Sequence, residues 1–201
     1  MLSKTILKAV KEKNRIFVLG IDGLGGAGKT TFTQTLAESL RDEGANVIIL
    51  HMDDFIHPRK TRYDDTKLEW ECYYYLQWRY DYLITEILSP IQLGMPINKL
   101  IELYDKNIDE YSKHFLKVDH HSVLLLEGIF LQREEIRPFL DYVVFIDVPK
   151  KERLSRVLKR DIYIGDQRMI RAKYYKRYFP AEDKYLEEYA PAKNADLTIV
   201  C

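Results

Sequence analysis

Residues 23–30 form a glycine-rich loop of the kind that binds phosphate. They read GLGGAGKT and satisfy the pattern G-x-x-x-x-G-K-[ST], directly after an apolar, strand-like run at 15–21. Glycines let backbone N–H groups turn inward toward phosphate oxygens at the positive end of the following helix. Lys29 is placed to reach the β- and γ-phosphates, and the Thr30 hydroxyl to bind Mg²⁺. The pattern predicts binding of a nucleoside triphosphate by Gly23, Gly25, Gly26, Ala27, Gly28, Lys29, Thr30 and Thr31.

Carboxylates follow two other apolar runs. Asp53 and Asp54 come directly after residues 46–51, and Glu127 lies at the end of the run 122–128. Because the carboxyl ends of parallel strands meet at one edge of a sheet, we expect these carboxylates beside the phosphate loop. Asp53 is then placed to orient an acceptor hydroxyl and take its proton, and Glu127 to hold Mg²⁺. Two alternatives stay open: a turn cap for Asp54, and a purely structural partner for Glu127.

Three arginines are spaced to share one helical face. Arg153, Arg156 and Arg160 follow one another at i, i+3 and i+7 after the run 141–148. Such a row predicts a lid, at about residues 150–180, that closes over the triphosphate and neutralises charge on the transferred group. The alternative is a solvated basic face.

Composition narrows the class of partner. Lys and Arg together number 31, as do Asp and Glu, so no net charge favours nucleic acid or a membrane. The aromatic and basic segment 173–179 is followed by acids, which favours an amphipathic helix over a nucleic-acid surface. No apolar run approaches the ~20 residues of a membrane span, and Cys72 and Cys201 form no C-x-x-C. We predict a soluble, cytoplasmic protein with a small-molecule substrate and neither nucleic acid nor membrane as partner; whether it forms a homo-oligomer stays open.

The apolar runs alternate with helical patterns, which predicts a single α/β domain over residues 1–201. Strands are expected at 15–21, 46–51, 122–128, 141–148 and 196–200, and helices at 1–13, 31–41 and 67–88, the last ending before Ser89 and Pro90. Residues 94–119 show no clear period and are expected to be rich in loops.

The chain resembles the uridine kinase and phosphoribulokinase family of P-loop kinases. The resemblance rests on residues 21–31 (IDGLGGAGKTT), 52–55 (MDDF), 124–129 (LLLEGI) and 153–161 (RLSRVLKRD), in the family's order. It implies a three-layer α/β/α fold with a predominantly parallel five-stranded sheet and a helical lid. It also implies transfer of the ATP γ-phosphate to a hydroxyl of a small metabolite, with a nucleoside favoured. The implied catalytic residues are Lys29, Asp53, Arg156 and Arg160; the implied acceptor contacts are Asp53, Phe55, Tyr104, Asp105 and Glu127; the implied Mg²⁺ partners are Thr30, Asp53 and Glu127.

The departures from the family concern the acceptor. Uridine kinases follow their Tyr-Asp pair with a histidine and an arginine, whereas this chain offers Asp109 and Tyr111. Residues 73–76 (YYYL) replace a Phe-Asp-His-Pro segment whose aspartate holds the ribose. Two alternatives stay open: the ribose contact is missing, or Asp81 on the same predicted helix supplies it. Nicotinamide riboside, pantothenate and a sugar phosphate therefore stay open as acceptors, as does nucleotide binding without catalysis. The five histidines, at 51, 57, 114, 120 and 121, have no metal-ligand spacing and receive no role.

Overall fold

A parallel five-stranded sheet forms the centre of the computed structural model, which describes residues 2–13 and 15–201. Met1, which the predicted N-terminal helix included, lies outside the described residues. The strands are β1 (Phe17–Gly23), β2 (Asn46–His51), β3 (Ile97–Asp105), β4 (Glu110–Val118), β5 (Ser122–Gly128), β6 (Tyr142–Asp147) and β7 (Leu197–Val200). The sheet has the order β2-β5-β1-β6-β7, and each of its pairs is parallel.

Helices cover both faces of the sheet. They are α1 (Leu2–Lys13), α2 (Lys29–Asp42), α3 (Arg59–Arg62), α4 (Glu69–Glu71), α5 (Tyr80–Leu83), α6 (Ser89–Gln92), α7 (Lys150–Arg160), α8 (Gln167–Lys173), α9 (Phe179–Tyr189) and α10 (Pro191–Asn194). The π-helical turns Cys72–Leu76, Ile84–Leu88 and Tyr174–Tyr178 extend α4, join α5 to α6 and join α8 to α9. The chain thus has the three-layer α/β/α fold of P-loop proteins, as the sequence predicted.

Alternation along the central strands builds two cores. Both β1 and β5 are buried along their whole length, and successive side chains point to opposite faces of the sheet. Phe17 and Leu19 therefore pack in one core with Leu36 of α2. Val18 and Leu124 pack in the other, with the helices of the 69–92 segment and with α9.

The predicted long helix at 67–88 is wrong. The helical segment breaks at residues 77–79, where Arg79 has φ −92° and ψ 57°. Backbone bonds to the segment after β2 cause the break: His57 N donates to Gln77 O at 2.8 Å, and Arg79 N donates to Phe55 O at 2.8 Å. The later part does not end before Pro90 but continues to Gln92, because Pro90 lies in the first turn of α6, where a backbone N–H is dispensable.

The prediction that residues 94–119 are rich in loops is also wrong. They form an antiparallel hairpin in which β3 pairs with β4 from Ile97↔Val118 to Asp105↔Glu110. Only a few inward positions of the two strands, such as Ile97 and Leu116, are buried. Most of the other positions are polar, so the sequence does not show the alternation of apolar and polar residues that indicates a strand. The turn closes with Asp109 at φ +55°, and the hairpin supplies one wall of the candidate site.

Candidate active site

The phosphate loop runs from the end of β1 to the start of α2. Gly26 and Gly28 have φ of +81° and +95°, the left-handed region that favours glycine. A Cβ on Gly26 would also lie 2.9 Å from the carbonyl oxygen of Arg153. Lys29 lies back across the loop, where its Nζ donates to Leu24 O at 3.2 Å. Because α2 begins at Lys29, its first N–H groups have no intrahelical partners and can receive an anion.

A buried ion pair holds the loop from behind. Arg153 and Glu182 are 2% and 1% exposed, and an Arg153 guanidinium nitrogen lies 2.7 Å from Glu182 Oε2. Glu182 Oε1 accepts a hydrogen bond from Gly25 N at 2.9 Å, while Arg153 donates to Gly25 O at 3.1 Å. Desolvation raises the pKa of Glu182, and the charge of Arg153 opposes that rise. The pair fixes both polar groups of the Gly25 peptide.

The predicted arginine row is therefore split. Arg153 packs under the loop, so the prediction that it belongs to a lid is wrong. Arg156 is half-exposed and donates to Ala27 O at 3.2 Å. Arg160 borders the main cavity and pairs with Asp161, 2.6 Å from its Nε. Two arginines, not three, thus lie where they could meet a bound triphosphate.

Asp22 is a buried carboxylate that the sequence reasoning missed. It accepts hydrogen bonds from Gly23 N at 2.8 Å, from Gln132 Nε2 at 3.0 Å and from the Tyr185 hydroxyl at 2.6 Å. Desolvation raises its pKa, although these bonds oppose the rise. An acid between the apolar run 15–21 and the loop was the available signal. Its bonds tie the start of the loop to α9.

Asp53 faces the cavity from the 3₁₀ turn Met52–Asp54, directly after β2. Its carboxyl group is open to the cavity but enclosed by the cavity walls. This desolvation raises its pKa, Lys29 lowers it, and Glu127 raises it again. Asp54 also borders the cavity, yet the pKa of Asp54 responds to desolvation, His51 and Asp53 rather than to Lys29. Lys29 of the phosphate loop therefore acts on the pKa of Asp53 and is not among the main influences on that of Asp54.

Glu127 lies between the loop and β2. Its Oε2 is 3.3 Å from the Thr30 hydroxyl, which donates to it, and 2.6 Å from His51 Nδ1. Desolvation opposes ionisation of Glu127, but the His51 hydrogen bond and the charge of Lys29 outweigh it and lower its pKa. The same hydrogen bond raises the pKa of His51. His51 was given no role from sequence, so this contact is new.

These oxygens fit a magnesium ion. Mg²⁺ binds through one or two carboxylates together with substrate phosphates and water, and the Thr30 hydroxyl, Glu127 and Asp53 all border one cavity. Within residues 2–13 and 15–201, no group of three or more His, Cys, Asp or Glu side chains could hold a metal by itself. When bound, the ion would neutralise charge on the β- and γ-phosphate oxygens.

The main cavity has a volume of about 1410 Å³. Tyr104 and Asp105, for which the resemblance implied contact with the acceptor, border it from the hairpin. The Tyr104 hydroxyl donates to Asp109 Oδ1 at 2.7 Å and accepts from Arg62 at 2.8 Å. Phe55 is 1% exposed and lies in the core behind the wall, so the structure does not bring it to the cavity. Asp81 is exposed and does not border the cavity either.

A second, smaller cavity of about 440 Å³ lies beside the loop, where Gly28, Thr31 and Arg156 border it. Gly26, Lys29, Thr30 and Arg160 border both cavities, whereas Gly23 and Ala27 border neither. In the described part of the chain, no helix is long and apolar enough to cross a membrane.

Comparisons with known proteins agree with this geometry. A family model described as an AAA domain matches residues 19–176. The uridine kinase of Bacillus licheniformis is 31% identical over 146 residues, 72% of this chain and 67% of the relative. That of Staphylococcus epidermidis is 27% identical over 189 residues, 92% of this chain and 88% of the relative. A solved structure titled "Structure of a Possible Uridine Kinase from Bacillus stearothermophilus" superposes with a TM-score of 0.79 at 37% identity, covering 98% of this chain and 95% of that one.

Proposed function

The chain belongs to the uridine kinase family of P-loop kinases, and on that premise we propose that it transfers the γ-phosphate of ATP to a hydroxyl group of a small metabolite. The observation that carries the proposal is the shared cavity of Lys29, Asp53 and Glu127. This cavity beside the phosphate loop is bordered by a cation (Lys29), a candidate base (Asp53) and a candidate magnesium ligand (Glu127). Phosphoryl transfer requires this combination of charge neutralisation and positioning.

Each group has a separate task in this proposal. The loop N–H groups and Lys29 bind the phosphates, and Thr30 with Glu127 contributes to the magnesium site. Asp53 orients the acceptor hydroxyl and takes its proton, although a loose transition state makes positioning worth more than the base. Arg160, and Arg156 from outside the loop, neutralise charge as the phosphoryl group moves.

Two classes of acceptor compete. A nucleoside is the first candidate, because curated relatives are named uridine kinases. A hydroxyl compound with its own negative charge is the second, favoured by the basic residues that border the cavity in addition to Lys29 and Arg160. Those residues are Arg59, Arg62, Lys106, Lys113, His114, Lys173 and Arg177.

The experiment that tests the proposal is ADP release from Mg-ATP with uridine, cytidine, nicotinamide riboside, pantothenate or ribulose 5-phosphate, each against a control without acceptor. We expect one class of acceptor to stimulate release, and Lys29→Ala to abolish that stimulation while Lys176→Ala, an exposed change, does not. ATP binding with no stimulated release across an extended panel of alcohols would instead favour a nucleotide-binding protein without kinase activity.

A further inference from the structure

Arg177 is a buried cation without a carboxylate partner. It lies on the turn Tyr174–Tyr178 and is 1% exposed. One terminal nitrogen donates to Glu69 O at 3.1 Å and the other to Gln77 Oε1 at 2.8 Å, both neutral acceptors. Among the residues that the structure describes, none forms an ion pair with Arg177. A buried guanidinium ion is costly unless a negative charge compensates it.

Arg62 is a second cation on the same wall with an unused donor. Its Nε is buried and has no hydrogen-bond partner. A terminal nitrogen donates to the Tyr104 hydroxyl at 2.8 Å and lies 3.8 Å from Asp109 Oδ1. That same carboxylate oxygen accepts from Tyr104 and from Arg59 N. The charge of Arg62 is therefore only partly compensated.

One aromatic ring brings the two arginines together. The Cζ of Arg177 lies 4.4 Å from the centroid of the Tyr63 ring, and the Cζ of Arg62 lies 5.8 Å from it. All three residues border the main cavity. Both guanidinium groups thus lie beside the same ring at the border of that space, where planar donors can bind an oxyanion with paired hydrogen bonds.

This basic pair is distinct from the charges at the phosphate loop. Desolvation raises the pKa of Asp53, and the cations that chiefly oppose it are Lys29, His51 and Arg160. The contacts of Arg62 and Arg177 are instead with the hairpin and with the 69–77 segment. The cavity therefore has one basic end for the triphosphate and a second that the triphosphate leaves unexplained.

We propose that Arg177 and Arg62 form an oxyanion subsite, so that the acceptor carries a phosphate or carboxylate group in addition to the hydroxyl that Asp53 receives. The inference rests on the proposed kinase function and narrows its substrate class. A neutral nucleoside would leave the Arg177 charge uncompensated in the complex. An anionic acceptor supplies the missing charge and fixes which end of the molecule points to Asp53.

A binding experiment tests the subsite without turnover. The nucleotide site is first filled with a nonhydrolysable ATP analogue and Mg²⁺, and inorganic phosphate is then titrated by calorimetry. We expect phosphate to bind the wild-type protein, and Arg177→Gln and Arg62→Gln each to weaken that binding by about 10- to 100-fold. The exposed neighbours serve as controls, because Lys176→Gln and Lys60→Gln should bind as the wild type does. Equal phosphate binding in all variants, or none in the wild type, would overturn the subsite.

Kinetics on matched acceptors separate the two sources of negative charge. Pantothenate is compared with pantothenol, and ribulose 5-phosphate and glycerol 3-phosphate with ribulose and glycerol. We expect a higher kcat/KM for one anionic class, and Arg177→Gln to lower that value about 10- to 100-fold while the neutral partner's value is unchanged. Arg177→Lys keeps the charge but loses the planar donors, so it should recover only part of the kcat/KM for the anionic acceptor. If Arg177→Gln does not fold, Arg62→Gln decides the outcome.

The two proposals fail in different ways. Transfer to uridine at equal rates by wild type, Arg177→Gln and Arg62→Gln would overturn the anionic acceptor and leave the kinase function standing. Absence of transfer to any alcohol, with phosphate still bound at Arg177, would overturn the kinase function and with it the anionic acceptor, while the oxyanion subsite itself would stand.

Discussion

His51 Nδ1 lies 2.6 Å from Glu127 Oε2, across the paired ends of β2 and β5. The two residues are register partners in the sheet although 76 positions separate them in the chain. Glu127 in turn accepts from Thr30, so the imidazole would act on the proposed magnesium site through the carboxylate. We infer that His51 is a positioning residue rather than a metal ligand.

His51→Ala should leave the fold intact and weaken the response to Mg²⁺. Partners that orient a metal-binding carboxylate typically contribute 10- to 100-fold in metal affinity or activity, so we expect the Mg²⁺ concentration for half-maximal transfer to rise by about 10-fold. The measurement is initial rate against free Mg²⁺ at saturating ATP. His121→Ala, an exposed change, is the control. An unchanged Mg²⁺ curve for His51→Ala would show that Glu127 needs no such support.

This contact also shows what the sequence could and could not predict. Apolar runs predicted the five strands of the sheet, and therefore placed Asp53 and Glu127 at one edge. The partnership of His51 with Glu127 needed the order of the strands, because β2 pairs with β5 rather than with β1. The prediction that Arg153 belongs to a lid was wrong for a related reason. Its spacing predicted a shared face correctly, but only packing reveals that its side chain lies beneath the loop against Glu182.

The acceptor wall was the least predictable part. Polar residues along β3 and β4 hid the hairpin, so Arg62 and Tyr104 could not be placed together from sequence. Arg177 was assigned to an amphipathic helix, which is correct, but its burial depends on the distant carbonyl of Glu69 and the amide of Gln77. Contacts of this kind join residues far apart in the chain, so they produce no periodic pattern in the sequence around Arg177.

Asp53→Asn should lower kcat more than it changes ATP affinity. The amide keeps the shape of the side chain but cannot accept the hydroxyl proton, and general-base catalysis is typically worth about 100-fold or more. The measurement is single-turnover transfer at saturating ATP and acceptor, together with the Kd of ATP. Asp54→Asn is the matched control, because Lys29 is not among the main influences on the pKa of Asp54.

The two outcomes for this neighbouring pair are distinct. A larger loss of kcat in Asp54→Asn than in Asp53→Asn would transfer the role of base to Asp54. A collapse of ATP binding in Asp53→Asn with unchanged single-turnover transfer would restrict Asp53 to structure or to magnesium.

Glu182→Ala should destabilise the protein and loosen the phosphate loop. Removing one partner of a buried ion pair typically costs about 3–5 kcal/mol, because the other charge is left uncompensated. Urea unfolding measures that cost, with Glu187→Ala on the exposed face of α9 as control.

Replacing the pair with apolar residues in Arg153→Met/Glu182→Leu should recover stability. It should not recover ATP affinity, because Gly25 N still lacks its acceptor; full recovery of both would remove Glu182 from any role in shaping the loop.

Gly128→Ala should displace the turn that carries Asp53. A Cβ at position 128 would lie 2.3 Å from Met52 Cβ, so β5 and the turn Met52–Asp54 must move apart. Such overpacking typically costs about 1–3 kcal/mol, and kcat should fall as Asp53 shifts from the loop. Gly44→Ala is the control, because Gly44 has φ +89° with open space around it. Gly44→Ala should cost about 1–2 kcal/mol through left-handed strain alone and leave kcat unchanged. Equal kcat values for the two variants would mean that the position of Asp53 does not depend on the close approach of Gly128 to Met52.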